Sequence, residues 1–208
     1  MAKDRILVES FDEAGDAAYR VYAGTRELLF AGCGLALSNL ILPAMGEGAR
    51  TSGPSERHDP IDGDSPICLC NEASSPSIIK VAPGASLTER SFTVSSVDID
   101  LLLANFLSEL ICLFDSEGFL GYSFDVEFAR EPSSGGREWE VVGSSREADS
   151  DIRLDVHVRG LTLPASALEP QRAEDRILGL VPKGVSYHML EVGRIEDGRW
   201  GAQFVLDA

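Results

Sequence analysis

The sequence predicts an α+β domain in which two helices lie among antiparallel strands. Three observations support this fold class. Apolar and polar residues alternate over several short segments, which is typical of half-buried strands, and two longer segments repeat apolar residues at helical spacing. Near the end of the chain, Asp197-Gly198 separates two alternating runs, and this dipeptide is the strongest short signal for a β-hairpin.

The alternating segments are short, and most are bounded by Gly, Pro, Ser or Asp. An acidic turn, expected at 12–16, separates the first two strands, and the Asp-Gly hairpin joins the last two. In chain order, the expected strands lie at 5–11, 17–23, 78–83, 89–95, 120–129, 138–142, 152–158, 185–195 and 200–206.

Two helices are expected. The first begins after Thr25, whose hydroxyl can cap it, and contains Gly32 and Gly34. Each glycine weakens a helix by about 1 kcal/mol, so tertiary packing must hold this one. The second helix is expected over 97–115, where a wide apolar stripe follows acidic residues in the first turn and Gly118 supplies a stop signal.

We expect a single domain over 1–208, since a chain of this length fits one ordinary domain. Two segments, at 43–77 and 132–151, are rich in Gly, Ser, Pro and acidic residues and poor in apolar ones. Such segments bury too little apolar surface to offset the entropy of ordering them. We interpret both as loop-rich insertions and expect the first to be largely disordered.

The charge excludes one class of function and favours another. The chain has 34 acidic and 18 basic side chains, which gives a net charge of −16. Broad binding of nucleic acid requires clustered Lys and Arg, so a surface that grips phosphate backbones is not expected. An acidic chain instead suits bound cations or a basic protein partner.

The compartment expected from the sequence is the cytoplasm. No apolar run near the start is long enough for a secretory signal, and none elsewhere is long enough to span a membrane. The four cysteines are Cys33, Cys68, Cys70 and Cys112. Cys68 and Cys70 lack the spacing and the further ligands of a zinc site, so we expect reduced thiols without a metal or redox role.

No motif for nucleophilic catalysis or phosphate binding is present. His157 and His188 are interpreted as ordinary polar side chains of strands. Carboxylates crowd the first turn, and Asp207 is followed by the terminal carboxylate of Ala208. Taken alone, the carboxylates of this turn are best explained as ordinary side chains exposed to solvent. Oxygen ligands of this kind suit Ca²⁺ or Mg²⁺, but spacing alone does not bring the two ends of the chain together.

Four separated segments, in the correct order, resemble the archease family. The second helix follows the family's leucine-rich pattern from an aspartate to an L-F-D-x-E-G exit, and a later segment follows its K-A-x-T-Y-H-x-L-x-V pattern. The first segment aligns with a His-Thr-Ala-Asp signature and the last with a terminal V-x-F-D-I. The segments are Glu13 to Asp16, Asp98 to Gly118, Lys183 to Val192 and Phe204 to Ala208.

This resemblance implies a β-α-β sandwich of three layers with two main helices packed between antiparallel or mixed sheets. It also implies an accessory protein rather than an enzyme. Archeases assist the RtcB-type RNA ligase that joins tRNA exon halves, by promoting its guanylylation and repeated turnover. The expected partner is therefore that ligase, with no broad nucleic-acid binding and no membrane.

The resemblance further implies a divalent-cation site, for Ca²⁺ or Mg²⁺, at Asp16, Asp207 and the backbone oxygen of Ala208. The segment with Lys183, Tyr187 and His188 is expected beside this site. One departure concerns Glu13, which stands where the family has histidine. The substitution adds a negative charge. Either the Glu13 carboxylate supplies a further oxygen ligand, or the substitution indicates a protein that no longer acts on a ligase.

Two alternative functions remain open at this point. The Glu13 substitution is also compatible with an interaction or chaperone-like module that has lost its metal. A metal-dependent hydrolase could use the same carboxylates, with Glu13 or His188 as general base. The hydrolase is disfavoured because the sequence shows no group that would activate a nucleophile.

Overall fold

The computed structural model describes residues 6–13, 16–42, 67–69, 84–129, 152–168 and 178–207. Eight strands and three helices lie in these ranges, and their order agrees with the α+β prediction. They are β1 (Ile6–Glu13), β2 (Asp16–Ala23), α1 (Arg26–Ile41), β3 (Ile67–Leu69), β4 (Ser86–Ser96), α2 (Ile99–Glu117), β5 (Phe119–Phe128), β6 (Ile152–Thr162), α3 (Ala165–Leu168), β7 (Gly184–Arg194) and β8 (Trp200–Asp207).

The strands form two antiparallel sheets with the long helices between them. One sheet has the order β3-β1-β2-β8-β7 and the other has the order β4-β6-β5. Helix α1 packs on β1, β2 and β8 of the first sheet and on β5 of the second, while α2 packs on β7 and on β4, β5 and β6. The expected three-layer sandwich is confirmed.

Helix α1 is buried on nearly every side because it lies between two sheets, and this explains its glycines. A Cβ at Gly32 would lie 2.5 Å from Ile6 Cγ2 and 2.9 Å from Val21 Cγ1, both in the first sheet. A Cβ at Gly34 would lie 2.8 Å from two ring atoms of Phe124 in the second sheet. The two glycines therefore allow both sheets to approach the helix closely.

Local sequence signals set the start of both long helices and the end of α2. Thr25 Oγ1 accepts a hydrogen bond from the backbone of Leu28 at 3.2 Å, as expected of an N-cap. At the start of α2, Asp98 Oδ1 accepts from the backbone of Leu101 at 2.7 Å. Gly118 ends α2 in the left-handed conformation with φ 67°, which glycine adopts without a steric penalty.

The structure corrects several expected boundaries. The acidic turn predicted at 12–16 is shorter, because the β1–β2 ladder continues to the pair Glu13 and Asp16. The second helix begins at Ile99, since Asp98 is its cap, and continues to Glu117. Strands β4 and β6 are also longer than predicted and remain paired along their whole length.

Two further elements were not predicted. The segment Ile67–Leu69, inside the first expected insertion, pairs with β1 as an edge strand. A short helix occupies Ala165–Leu168. The expected strands at 78–83 and 138–142 and the rest of both insertions lie outside the described residues. Within the described ranges, no helix combines the length and apolar character needed to cross a membrane.

The two described cysteines outside β3 differ in environment, and this predicts their reactivity. Cys33 is fully buried in α1, where desolvation raises the pKa of its thiol, whereas Cys112 on α2 is exposed. Because the thiolate is the reactive form, iodoacetamide should modify Cys112 and leave Cys33 protected in the native protein. Peptide mapping by mass spectrometry measures both sites, with denatured protein as the control. Equal modification of the two native thiols would contradict this prediction.

Candidate cation site at the sheet edge

The ends of β1, β2 and β8 bring three acidic residues into one row of the first sheet. Glu13 pairs with Asp16 across β1 and β2. Ala17 pairs with Leu206 across β2 and β8, so the same register continued by one residue places Asp16 opposite Asp207. Residues opposite each other in an antiparallel pair share a face of the sheet, at Cβ separations of about 4.5–5.5 Å.

Strand β7 extends this row on the other side. Gly184 pairs with Asp207, and the backbone N–H of Lys183 donates to the carbonyl oxygen of Asp207 at 2.7 Å. The end of β8 is therefore held between β2 and β7. We call the row of Glu13, Asp16 and Asp207 the acidic edge.

The acidic edge has the donor chemistry of a site for a hard cation. Asp16 is half-buried and Asp207 is exposed, and within the described ranges no Lys or Arg side chain forms an ion pair with either. Neighbouring carboxylates repel each other unless a cation or a proton neutralises one of them. Carboxylate and carbonyl oxygens are the ligands that Ca²⁺ and Mg²⁺ prefer, so these residues fit the expected ion.

In the described part of the chain, no three or more His, Cys, Asp or Glu side chains are grouped so that they could hold a metal ion. The set implied by the resemblance has only two such side chains, Asp16 and Asp207, and completes itself with a backbone oxygen. Ala208, which would supply that oxygen, lies outside the described residues, as do the contacts of the Glu13 side chain.

Behind the acidic edge, the opposite face of the same strands is apolar. Tyr19 stacks on Phe204 with ring centroids 5.6 Å apart. Burial raises the pKa of Tyr19 to about 12, so its phenol stays neutral at physiological pH. The carboxylates of Asp16 and Asp207 therefore stand at the rim of a packed sheet, which keeps the ends of their strands in register.

The remaining predicted site residues lie on β7 beyond the acidic edge. Tyr187 is three residues past Gly184, which corresponds to about 10 Å along a strand. Tyr187 and His188 are both exposed. Of the segment expected beside the site, Lys183 reaches Asp207 through its backbone, while Tyr187 and His188 lie farther along the sheet.

An irregularity in β7 sets Tyr187 and His188 apart from the ladder. It was not predicted, although the consecutive apolar residues Met189 and Leu190 break the alternation there. Ser186 pairs with Val205, but the next pair is Glu191 with Gln203. Residues 187–190 of β7 therefore have only Phe204 opposite them and form a large bulge. Met189 within the bulge has φ 59°, the only positive value among described residues other than glycine. Bulges commonly redirect side chains beside functional sites.

A helix residue that sequence reasoning did not single out for the site holds the strand just after the bulge. Asp100 Oδ1, in the first turn of α2, accepts a hydrogen bond from the backbone N–H of Val192 at 2.7 Å. A carboxylate that accepts from a backbone amide makes one of the stronger protein hydrogen bonds. The bulge therefore ends at a fixed point on α2.

His157 lies far from the acidic edge, on the outer face of the second sheet. Its Nδ1 is 2.9 Å from Ser91 Oγ, and its Nε2 is 3.7 Å from Glu89 Oε2. Beside it, hydrogen bonds from Thr93 and Arg153 lower the pKa of Asp155. This face is a solvated polar surface, which agrees with the interpretation of His157 as an ordinary strand residue.

Comparisons with known proteins agree with this fold. Residues 70–208, more than half of the chain, match the Archease protein family (MTH1598/TM1083). The chain is also similar to a solution structure of Methanobacterium thermoautotrophicum protein 1598, with a TM-score of 0.56, 20% sequence identity, and coverage of 97% of this chain and 98% of that one. At that identity the likeness shows the fold.

Several sequence relatives carry the name Protein archease, and two of them illustrate the extent of the match. The Thermococcus kodakarensis protein is 30% identical over 122 residues, which are 57% of this chain and 66% of that protein. The chain thus covers just under two thirds of that relative's length. The Methanosarcina barkeri protein is 25% identical over 199 residues, which are 96% of this chain and 94% of that protein.

Proposed function

Because the chain belongs to the archease family, we propose that it is an accessory protein that activates an RtcB-type RNA ligase in tRNA splicing or RNA repair. In this role it promotes guanylylation of the ligase and its repeated turnover, and it carries out no covalent chemistry itself. The net charge of −16 favours a basic protein surface as the partner and disfavours direct binding to the RNA backbone.

The observation that supports the proposal is the register of β2 and β8, in which Ala17 pairs with Leu206, so that Asp16 and Asp207 are the next residues along the two strands. These residues come from opposite ends of the chain, and their carboxylates gain from a shared cation because it removes their mutual repulsion. Asp16, Asp207 and the backbone oxygen of Ala208 would hold the ion, and Glu13 would add a further oxygen. A bound Ca²⁺ or Mg²⁺ would neutralise the acidic edge and tie the ends of β2 and β8 together.

In this proposal the chain's own residues present the ion at the rim of a rigid sheet. Lys183 holds the end of β8 through its backbone hydrogen bond to Asp207. The neutralised edge can then approach a basic partner surface without the desolvation cost of bare carboxylates. Contact of this kind is reversible, which suits an activator that must release the ligase between turnovers.

The test is ligation of tRNA exon halves by a purified RtcB-type ligase with GTP, under multiple turnover. We expect addition of this protein in the presence of Ca²⁺ or Mg²⁺ to raise the amount of product per ligase by about tenfold or more, which is about 1.4 kcal/mol in effective barrier. Serum albumin at the same concentration is the control. An unchanged yield at every protein ratio would contradict the proposed function.

A further inference from the structure

We propose that the β7 bulge, residues 187–190, is the anchor by which the protein docks on its partner, with Tyr187 inserted into an apolar pocket of a basic protein surface. The proposal rests on the proposed function, because the partner is taken to be the ligase. The bulge is distinct from the acidic edge and contains no residue of the cation set.

The exposure of Tyr187 is the first observation. Its side chain is 70% exposed, the highest value among the exposed large hydrophobic side chains of the described chain. Within the described ranges its ring makes no aromatic contact and its hydroxyl makes no hydrogen bond. A large aromatic side chain with a polar tip gains much from burial against a partner, and Tyr is enriched at the energetic centres of protein interfaces.

The backbone of the bulge is the second observation. Met189 adopts a left-handed conformation that costs free energy for any residue except glycine, and such strain persists only where the surrounding structure imposes it. The surroundings here are the hydrogen bond from Val192 to Asp100 and the resumed pairing of Glu191 with Gln203. The bulge is therefore a preformed projection, so docking orders few additional groups.

Charge distinguishes between a nucleic acid and a protein as the partner of the bulge. Glu191, next to the bulge, is exposed, and over the whole chain 34 acidic side chains outnumber 18 basic ones. A nucleic acid would meet these carboxylates with its own negative charge. A protein pocket rimmed by Lys or Arg would complement them, and the length of β7 lets that protein touch both Tyr187 and the acidic edge.

The test compares Tyr187→Ala and Tyr187→Phe with a matched control, Leu87→Ala, which truncates another exposed apolar side chain on the opposite sheet. Affinity for a purified RtcB-type ligase is measured by calorimetry or biolayer interferometry. We expect Tyr187→Ala to weaken binding by about tenfold or more, Tyr187→Phe by about threefold or less, and Leu87→Ala by less than about twofold. Melting temperature and Ca²⁺ binding should not change, because the Tyr187 side chain is largely exposed and is not among the described residues that pack against the core.

Each outcome is decisive. If the wild-type protein binds the ligase and Tyr187→Ala binds equally well, the anchor is refuted while the proposed function stands. If the wild-type protein does not bind the ligase, both the anchor and the proposed function are refuted. If Tyr187→Ala loses affinity for tRNA but keeps its affinity for the ligase, the bulge contacts RNA and the proposal of a protein pocket is overturned.

Discussion

We expect Ca²⁺ to raise the melting temperature of the native protein, and replacing Asp16 or Asp207 with asparagine should abolish this rise. A ligand that binds only the native state stabilises it by about 2.7 kcal/mol at one hundred times its dissociation constant. Each substitution keeps the shape of the side chain but removes one of the two charges that face each other across β2 and β8. Thermal melts with and without Ca²⁺ or Mg²⁺ measure the effect.

Without added cation, the same substitutions should not lower the stability of the protein and should even raise it. Removing one carboxylate from a repelling pair should leave the metal-free variant as stable as the metal-free wild type or more stable. Asp125→Asn is the matched control, because Asp125 is exposed on β5 in the other sheet, opposite His157, and should leave the cation response intact. If neither Ca²⁺ nor Mg²⁺ changed the melting temperature of the wild-type protein, the cation site would be refuted.

The two substitutions should also remove stimulation of the ligase, because the proposed partner contact depends on a neutralised acidic edge. Glu13→Gln separates the two explanations of the unusual glutamate. If Glu13 supplies an oxygen ligand, the glutamine variant should need more Ca²⁺ to reach the same stabilisation. Unchanged Ca²⁺ dependence would show that this position takes no part in binding.

The parts of the fold that the sequence predicted correctly depend on local signals. The last hairpin needs only Asp197-Gly198 between alternating runs, and Gly198 indeed has φ 83°. The start of α2 needs only a capping aspartate, and its end needs only a glycine. Such signals act within a few residues, so they can be read without knowing the rest of the chain.

The candidate site depends on pairing that is not local. The register of β2 and β8, continued one residue past Ala17 and Leu206, sets Asp16 opposite Asp207, and the neighbouring positions of these strands are decided by the packing of the whole domain. The sequence supplied both carboxylates, and the family resemblance supplied the pairing, but no spacing rule connects positions so far apart. The β7 bulge was not predicted, although the consecutive apolar residues Met189 and Leu190 interrupt the alternation inside it.

The errors at the edges of elements have a physical cause as well. Carboxylates in the segment 12–16 were interpreted as a turn because acidic residues favour loops, yet the ladder orders them as far as Glu13. The run Ile67–Leu69 is a short apolar island in a polar part of the sequence, and its pairing with β1 makes it a strand. In both cases an adjacent strand outweighed the local propensity.

Gly32→Ala and Gly34→Ala should each destabilise the protein by about 1–2 kcal/mol, although alanine is the better helix former by about 1 kcal/mol. Overpacking a filled core costs about 1–3 kcal/mol, and here the neighbours have little room to move. The Gly32 Cβ would meet Ile6, whose β-branched side chain is stiff, and the Gly34 Cβ would meet the ring of Phe124. Urea denaturation should show a lower midpoint with an unchanged slope.

Gly193→Ala is the matched control, because a Cβ there would meet nothing within 4 Å. It should be neutral or stabilising by a few tenths of a kcal/mol, since alanine restricts the unfolded chain. If the two helix variants were as stable as this control, helix α1 would not be clamped between the sheets. Gly32→Ala and Gly34→Ala should both keep the response to Ca²⁺, because the acidic edge depends on the register of β2 and β8 and not on the tightest packing of the helix layer.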